Sequence, residues 1–406
     1  MIVTVDQSLF HEKAITLLDF MRFVLTAMER HHVLLLDPEW NSDDDAQSIQ
    51  RLLQSMPAAI RAAVHEKLEE SLDASANMGM SVARIRVEPI PESQWVGGVL
   101  SHKDALQVMQ TPLWLVLENG RNDLEFLRRI LVRSDREKLN AHLAEGRIEV
   151  PLGGGTGELK AFLENLATLP DQPSDARDIT DWIRRLRSWA MLDRDVRAAT
   201  KDQPSDPTKP SKTSETLRQL CAGMARPRPF PGHQLSRRTI ENYLPFEALE
   251  RWVSKGKGPE IDHRSKLLKA FRSSMFGDVR RACFNMKEGL LKDVAHGLRK
   301  EVKQSKRRPT EAELPLVFQG CEPKVEGGAE GHLVRRSKRH RRARRWNSHS
   351  DHPPIRHLLK NGFGDDICKM YGDKGCEDHW FWEVFVQDRA AQAWRDQLVE
   401  SLWAVL

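Results

Sequence analysis

Around residue 114 the pattern of the chain changes from unbroken apolar to periodic. The run Trp114-Leu-Val-Leu117 stops at Glu118, turns on Asn119-Gly120, and continues with apolar residues three and four apart. That pattern predicts a strand over 113–117, a turn carrying a carboxylate, and a helix from 122 to about 133, with Asp123 near its first turn. A short apolar stretch at 147–151 reads as a second strand; it runs into Gly153-Gly154-Gly155-Thr156-Gly157 and a helix beginning at Glu158. Helical spacing around 182–187 then leads into Trp189-Ala190-Met191-Leu192, which ends at Asp193-Arg194-Asp195. Strands alternating with helices at these lengths predict an α/β fold, a mostly parallel sheet flanked by helices and joined by right-handed crossovers.

The flanking segments carry different patterns. Residues 17–28 and 46–72 have helical spacing, while 32–38 and 82–87 read as short strands, so residues 1–105 are expected to form an N-terminal α+β domain of unknown role. The central sheet is expected to span residues 111–250. Within it, the Pro-, Ser- and charge-rich stretch from Lys201 to Lys212 is expected to hold neither strand nor helix, as part of a mobile surface insert over 201–215. Residues 251–406 read as a helical and basic C-terminal region. A helical stretch is expected from 264 to about 306, including Phe284 to Gly289, and a Trp- and Phe-rich docking helix over 380–406.

Composition narrows the class. With 30% charged residues and a mean hydropathy of -0.55, the chain lacks any apolar run long enough to span a bilayer, and Met1 to Asp6 do not resemble a secretory signal. A cytoplasmic protein without a membrane partner is expected. The cysteines (Cys221, Cys283, Cys321, Cys368, Cys376) are odd in number and scattered, which argues against a disulfide framework. Cys368, Cys376 and His379, with His349, His352 and His357 nearby, fit no common zinc module and read as ordinary side chains.

Net charge is +5, and its distribution is informative: Asp43-Asp44-Asp45 lies near the front, and dense Arg and Lys near the back. The tract Arg335, Arg336, Lys338, Arg339, Arg341, Arg342, Arg344 and Arg345 is almost continuous. Such density binds a phosphate backbone without reading sequence, and Trp346 directly after it offers a ring on which an unpaired base can stack. The alternative is a solvated basic loop.

Candidate chemistry gathers at the strand exits. In open α/β sheets ligands collect beyond the carboxyl ends of strands, where Glu118 and Asp193 both fall. In extended chain Asp193 and Asp195 face the same way and can meet one cation, for which oxygen ligands suit Mg²⁺ or Mn²⁺. Asp6 and Asp37 also follow apolar runs; they read better as turn residues than as a second acidic site. The glycine run at 153–157 has no following Gly-Lys-Ser/Thr and fails the dinucleotide fingerprint, which excludes an ATPase reading of that segment. A phosphate-contacting turn and a purely structural one stay open for it.

Taken together, Glu118-Asn-Gly-x-x-Asp123, the glycine turn and Asp193-x-Asp195 resemble the TOPRIM domain of topoisomerases, primases and OLD-type nucleases. Arg237-Arg238-Thr-Ile-Glu241-Asn242-Tyr243-Leu resembles the R-x-I-E-N-Y signature of OLD-like and abortive-infection TOPRIM proteins of prokaryotic phage defence, and Asn361-Gly-Phe-Gly364 is similar to a later segment of the same proteins. The resemblance covers residues 111–245, extends loosely over 246–370, and leaves out 1–105.

It implies that Glu118 acts as general acid/base or metal ligand, that Asp193 and Asp195 are metal acids, and that Glu241 completes the site. Asp123 is expected to support the helix start. The family commonly has Glu-Gly where this chain has Glu118-Asn119-Gly120; Asn tolerates the left-handed backbone, so the turn is expected to persist. The implied activity is Mg²⁺- or Mn²⁺-dependent endonucleolytic hydrolysis of DNA or RNA, with Arg194, Arg238 or Lys287 meeting developing negative charge. Having only two tyrosines, Tyr243 and Tyr371, argues against phosphotyrosyl chemistry, and Tyr243 is expected to pack beneath the site. A separate ATPase subunit is an implied partner, and a homo-oligomer stays open. The competing function is a non-catalytic nucleic-acid-binding or sensor subunit on the same scaffold; a primase- or topoisomerase-like enzyme lacks its accessory motifs.

Overall fold

The computed structural model describes residues 1–11, 15–37, 47–76, 78, 82–151, 154–197, 206–272, 278–289 and 362–405. It is an α/β structure built on two four-stranded parallel sheets flanked by helices.

The first sheet has the order β2-β1-β3-β4, from β1 (Ile2–Asp6), β2 (Val33–Asp37), β3 (Arg84–Val87) and β4 (Val99–Leu100). Its helices are α1 (Ser8–His11), α2 (Leu17–Arg30), α3 (Gln47–Gln54), α4 (Ala58–Ala76) and α5 (His102–Gln110). At its carboxyl end, Arg86 joins Asp6 at 2.5 Å, Asp37 at 2.8 Å and Glu88 at 2.8 Å. One arginine therefore bridges the two strand-exit aspartates, and Asp6 also accepts from Ser8 in a turn.

The second sheet is formed by β5 (Leu113–Leu117), β6 (Ile148–Glu149), β7 (Ser188–Leu192) and, after a separate two-stranded ribbon of β8 (Val196–Arg197) and β9 (Asp206–Pro210), by β10 (Gly232–Gln234). Its order is β10-β7-β5-β6. The interleaved helices are α6 (Gly120–Ile130), α7 (Arg133–Ala144), α8 (Thr156–Ala167), α9 (Ala176–Leu186) and α10 (Lys212–Gly223). All five side chains of β7 are buried, because both faces of a parallel sheet are covered.

The two-residue alternation of the strands sorts the core. Leu113, Leu115, Leu117, Trp189 and Met191 face α6 and the C-terminal helices, whereas Val116, Ala190 and Leu192 face α8 and α10. With β6 on one side of β5 and β7 on the other, the chain reverses its winding between β5 and β7. That is the switch point where a parallel sheet opens a crevice at its carboxyl edge.

The layers are joined. Trp182, Ile183 and Leu186 of α9 enter the core of the first sheet, with Trp182 stacked on Trp95. Arg187, buried, donates to the carbonyls of Thr111 and Val405.

Beyond β10 come a 3₁₀ turn at Ile240–Tyr243, then α11 (Phe246–Ser254), α12 (Pro259–Arg272), α13 (Asp278–Cys283), a 3₁₀ stretch at Asp365–Gly372, α14 (Asp378–Val386) and α15 (Arg389–Val405). The C-terminal helix docks as its aromatic content predicts: Trp189 donates to Ser401, and Trp394 to the Gln234 carbonyl.

Two sequence expectations are corrected. The stretch expected to lack structure contains β9, which pairs antiparallel with β8, and α10 starts at Lys212 with Ser211 as its cap. Proline is tolerated there because a two-stranded ribbon leaves half of each strand's backbone unpaired. Of the helical stretch expected from 264 to 306, residues 264–272 and 278–283 are helical, whereas Phe284–Gly289 form a turn. Asn285 Oδ1 accepts the Glu288 N–H, and Gly289 has φ +73°, a conformation that ends a helix rather than extending it. Residues 201–205, 290–361 and the basic tract lie outside the described residues.

Candidate active site at the carboxyl edge of the second sheet

The crevice beyond β5 and β7 is a cavity of about 150 Å³ lined by Glu118, Asn119, Asn122, Asp123, Gly155, Asp193, Ile240, Glu241 and Lys287. The register Leu117↔Met191 explains the meeting of the first two acids. Continued one step it sets Glu118 beside Leu192, one residue before Asp193.

Each acid is held by local chemistry. Asn119 caps α6 by accepting the Asn122 N–H, while Asp123 Oδ2 accepts the Asn119 N–H at 2.8 Å. The backbone of Asn119 has φ -126°, so the expected left-handed Asn-Gly turn is replaced by a helix cap outside the left-handed region. Gly155, at φ +84°, donates its N–H to the Glu118 carbonyl at 3.1 Å. This conformation favours glycine, and it starts α8 two residues before the expected Glu158. Thr156 Oγ1 then hydrogen-bonds Glu118 Oε1.

The 237–244 segment resolves residue by residue. Asn242 Oδ1 accepts from the backbone and hydroxyl of Thr239, and its Nδ2 donates to the carbonyls of Arg281 and Phe284. Tyr243 is buried, stacked on Phe385 and Trp394. Its hydroxyl accepts the Arg237 N–H. Glu241, 1% exposed, is the polar side chain of this turn that reaches the cavity.

Opposite it, Lys287 Nζ lies 3.0 Å from Glu241 Oε1. The Lys287 turn is clamped from behind: Phe363 donates to the Met286 carbonyl at 2.5 Å, and Gly364 to the Lys287 carbonyl at 2.9 Å. A Cβ on Gly362 would meet the Lys287 carbonyl carbon at 2.4 Å, so this approach requires glycine. These two glycines and Phe363 give the described part of the Asn361–Gly364 motif a concrete role. Sequence reading missed Asn119, Asn122 and Ile240 as cavity residues; for Asn119 and Asp123 the four-residue spacing at a helix start was the available signal.

Asp195 behaves differently from Asp193. At φ 38° it leaves extended conformation, and the N–H groups of Arg194 and Asp195 both donate to the Arg238 carbonyl, at 3.1 and 3.0 Å. The alternation of a continued strand therefore ends at Asp195, whose charge nonetheless raises both Glu118 and Asp193. Asp193 is on the cavity wall, and Asp195 lies outside that wall with Oδ1 4.0 Å from Arg238 Nε. Of the three expected cations, Lys287 lines the cavity. Arg194 instead directs Nη1 to the Ser236 carbonyl at 2.7 Å, and Arg238 directs Nη1 to the Cys283 carbonyl at 3.3 Å.

The electrostatics record a crowded acidic site. Burial pushes Asp193 well above the usual carboxylate range, reinforced by Glu118, Asp123, Glu241 and Asp195. Burial likewise raises Glu118, against the Thr156 hydrogen bond, and raises Asp123 to about 7, against the Asn119 N–H. Burial opposes the charge of Lys287, but Glu241 and Asp193 outweigh it and hold the amine above its ordinary value. Glu241 Oε2 is buried with no hydrogen-bond partner among the described residues. A cavity lined by four carboxylates, one with an orphaned oxygen, is an environment that a hard divalent cation relieves. As they stand, no three Asp, Glu, His or Cys side chains among the described residues are grouped closely enough to form a ready metal site.

Cys368 sits beside the cavity, accepting from Asn122 Nδ2 at 3.1 Å and donating to the Asp365 carbonyl. The candidate nucleic-acid residues Arg335 to Trp346 lie outside the described residues. No described helix is long and apolar enough to cross a membrane. No protein-family model, curated protein or solved structure matches this chain.

Proposed function

We propose that this chain is a TOPRIM-type nuclease that hydrolyses phosphodiester bonds of DNA or RNA with Mg²⁺ or Mn²⁺. The observation that carries the reading is the convergence of Glu118, Asp193 and Glu241, from three separate chain segments, on one cavity at a sheet switch point. Glu118, Asp193 and Glu241, with Asp195 behind them, are the residues that would hold the cation. Bound there, a divalent ion supplies neutralisation of phosphate charge and a more acidic water. Thr156 and Gly155 orient Glu118, either toward the cation or for proton transfer. Lys287 offers the cationic partner for charge developing on the phosphate. The motif resemblance supports a role in prokaryotic phage defence, with a separate ATPase subunit as controlling partner, testable by co-purification.

Incubating the purified chain with plasmid, single-stranded DNA and total RNA in Mg²⁺ or Mn²⁺ tests the proposal. Cleavage by the wild type and its loss in the Asp193→Ala, Asp195→Ala double variant are expected; undiminished cutting by that variant overturns it. The second reading, a non-catalytic nucleic-acid-binding subunit, is favoured by the Lys287–Glu241 pair, which already neutralises one acid. It predicts salt-sensitive binding and no turnover in either metal.

A further inference from the structure

Asn122 is a neutral side chain on the wall of an acidic cavity. It stands half-buried in the first turn of α6, its backbone N–H donated to Asn119 Oδ1. Its amide makes one hydrogen bond among the described residues: Nδ2 donates to Cys368 Sγ at 3.1 Å. No described group donates to its Oδ1.

The thiol decides which end of the amide faces it. Cys368 gives its one hydrogen to the Asp365 carbonyl at 3.0 Å, so toward Asn122 the sulfur can only accept, and the NH₂ end must be turned to it. With the amide reversed, two acceptors would meet at 3.1 Å. The thiol itself is fixed. Cys368 is buried on the 3₁₀ stretch at Asp365–Gly372, where the Tyr371 hydroxyl donates to the Ile240 carbonyl at 2.5 Å and Arg129 Nε to the Tyr371 carbonyl at 2.7 Å. The sulfur is thereby tied to the same turn that carries Glu241.

We propose that Asn122 is a further residue of the cation site, adding its amide oxygen to Glu118, Asp193 and Glu241, and that Cys368 is the positioning residue that aims this oxygen. The inference rests on the cation-holding function proposed above. Amide carbonyl oxygens suit Mg²⁺ and Mn²⁺ as carboxylates do. A neutral oxygen has an advantage here, because Glu118, Asp123, Asp193 and Glu241 already line the cavity and a further charge would add to their repulsion. As a helix-start residue alone, Asn122 needs only its backbone N–H, which Asn119 already takes.

Mn²⁺ binding to the full chain, followed by electron paramagnetic resonance, tests the pair through a double-variant cycle. Asn122→Ala should weaken binding about tenfold, and Cys368→Ala, which removes the acceptor that turns the amide, by a similar factor. Cys368→Ser keeps one hydrogen to donate and an atom to accept, and should restore the affinity lost in Cys368→Ala. The double Asn122→Ala, Cys368→Ala variant should bind no more weakly than Asn122→Ala alone, because the thiol acts through the amide. Cooperative melting in EDTA establishes that each variant is folded. Wild-type affinity in folded Asn122→Ala overturns the proposal, and so do losses that add in the double variant, as from a thiol that merely supports the fold. A wild type that binds no Mn²⁺ overturns the cation-holding function itself, whereas the other two outcomes leave that function standing.

Discussion

Lys287 Nζ is 3.0 Å from Glu241 Oε1, an ion pair whose acid is 1% exposed and whose second oxygen has no partner among the described residues. Removing the lysine leaves a buried carboxylate without its cation, which costs about 3 kcal/mol or more. Lys287→Met should therefore lower the melting temperature in EDTA. Added Mg²⁺ should recover more stability in the variant than in the wild type, because Glu241 Oε1 is released toward the cavity. Turnover should fall about 10²-fold or more if the amine meets transition-state charge. An Mg²⁺ response identical to that of wild type would show that Glu241 does not reach the cation.

Asp123 sets a pH dependence. Its folded value near 7 lies above its ordinary value of 3.8, so between about pH 4 and 7 the folded chain binds more protons than the unfolded one. Stability with respect to this group is fully present below about pH 4 and falls as pH rises through that window. In EDTA, the melting temperature should decline from pH 5 to 8, and Asp123→Asn, which can still accept the Asn119 N–H, should flatten the decline. Parallel melting curves for the two proteins across that range would remove Asp123 as the cause.

Gly362 tests how Lys287 is positioned. An alanine Cβ there would approach the Lys287 carbonyl carbon at 2.4 Å and the Glu288 nitrogen at 2.5 Å, so the two backbones must separate. Gly362→Ala should cost about 1–3 kcal/mol and reduce kcat at least tenfold, with a smaller effect on nucleic-acid affinity. A normal kcat in a folded Gly362→Ala protein would detach the lysine's position from this contact.

The basic tract makes a separate prediction. Replacing Arg341, Arg342, Arg344 and Arg345 by Gln should reduce the slope of log affinity against log salt on duplex DNA, by up to about 0.9 for each phosphate that an arginine no longer neutralises. The melting temperature should not change. An unaltered slope would assign these arginines to a solvated loop.

Much of the second sheet was legible because its strands are short unbroken apolar runs ending in acids. Glu118, Asp193 and Glu241 were found that way, or through the 237–244 motif. What escaped depended on backbone conformation and distant contacts. Asp195 was expected on the same face as Asp193, but φ 38° ends the alternation on which that inference rested. Arg194 and Arg238 were plausible cations by position, yet backbone carbonyls of Ser236 and Cys283 attract their guanidinium groups, which a linear pattern does not reveal. The strand Asp206–Pro210 was hidden by proline and charge, since a ribbon pairing depends on its partner more than on its own propensity.

In the proposed function the cavity of Glu118, Asp193 and Glu241 takes a divalent cation. Mn²⁺ binding followed by electron paramagnetic resonance, in the wild type and in Glu118→Gln and Asp193→Asn, tests it most directly. Binding by the wild type, weakened at least tenfold in each variant while melting in EDTA stays cooperative, is the predicted result. Failure of the folded wild type to bind millimolar Mn²⁺, or equal binding by all three proteins, would contradict it.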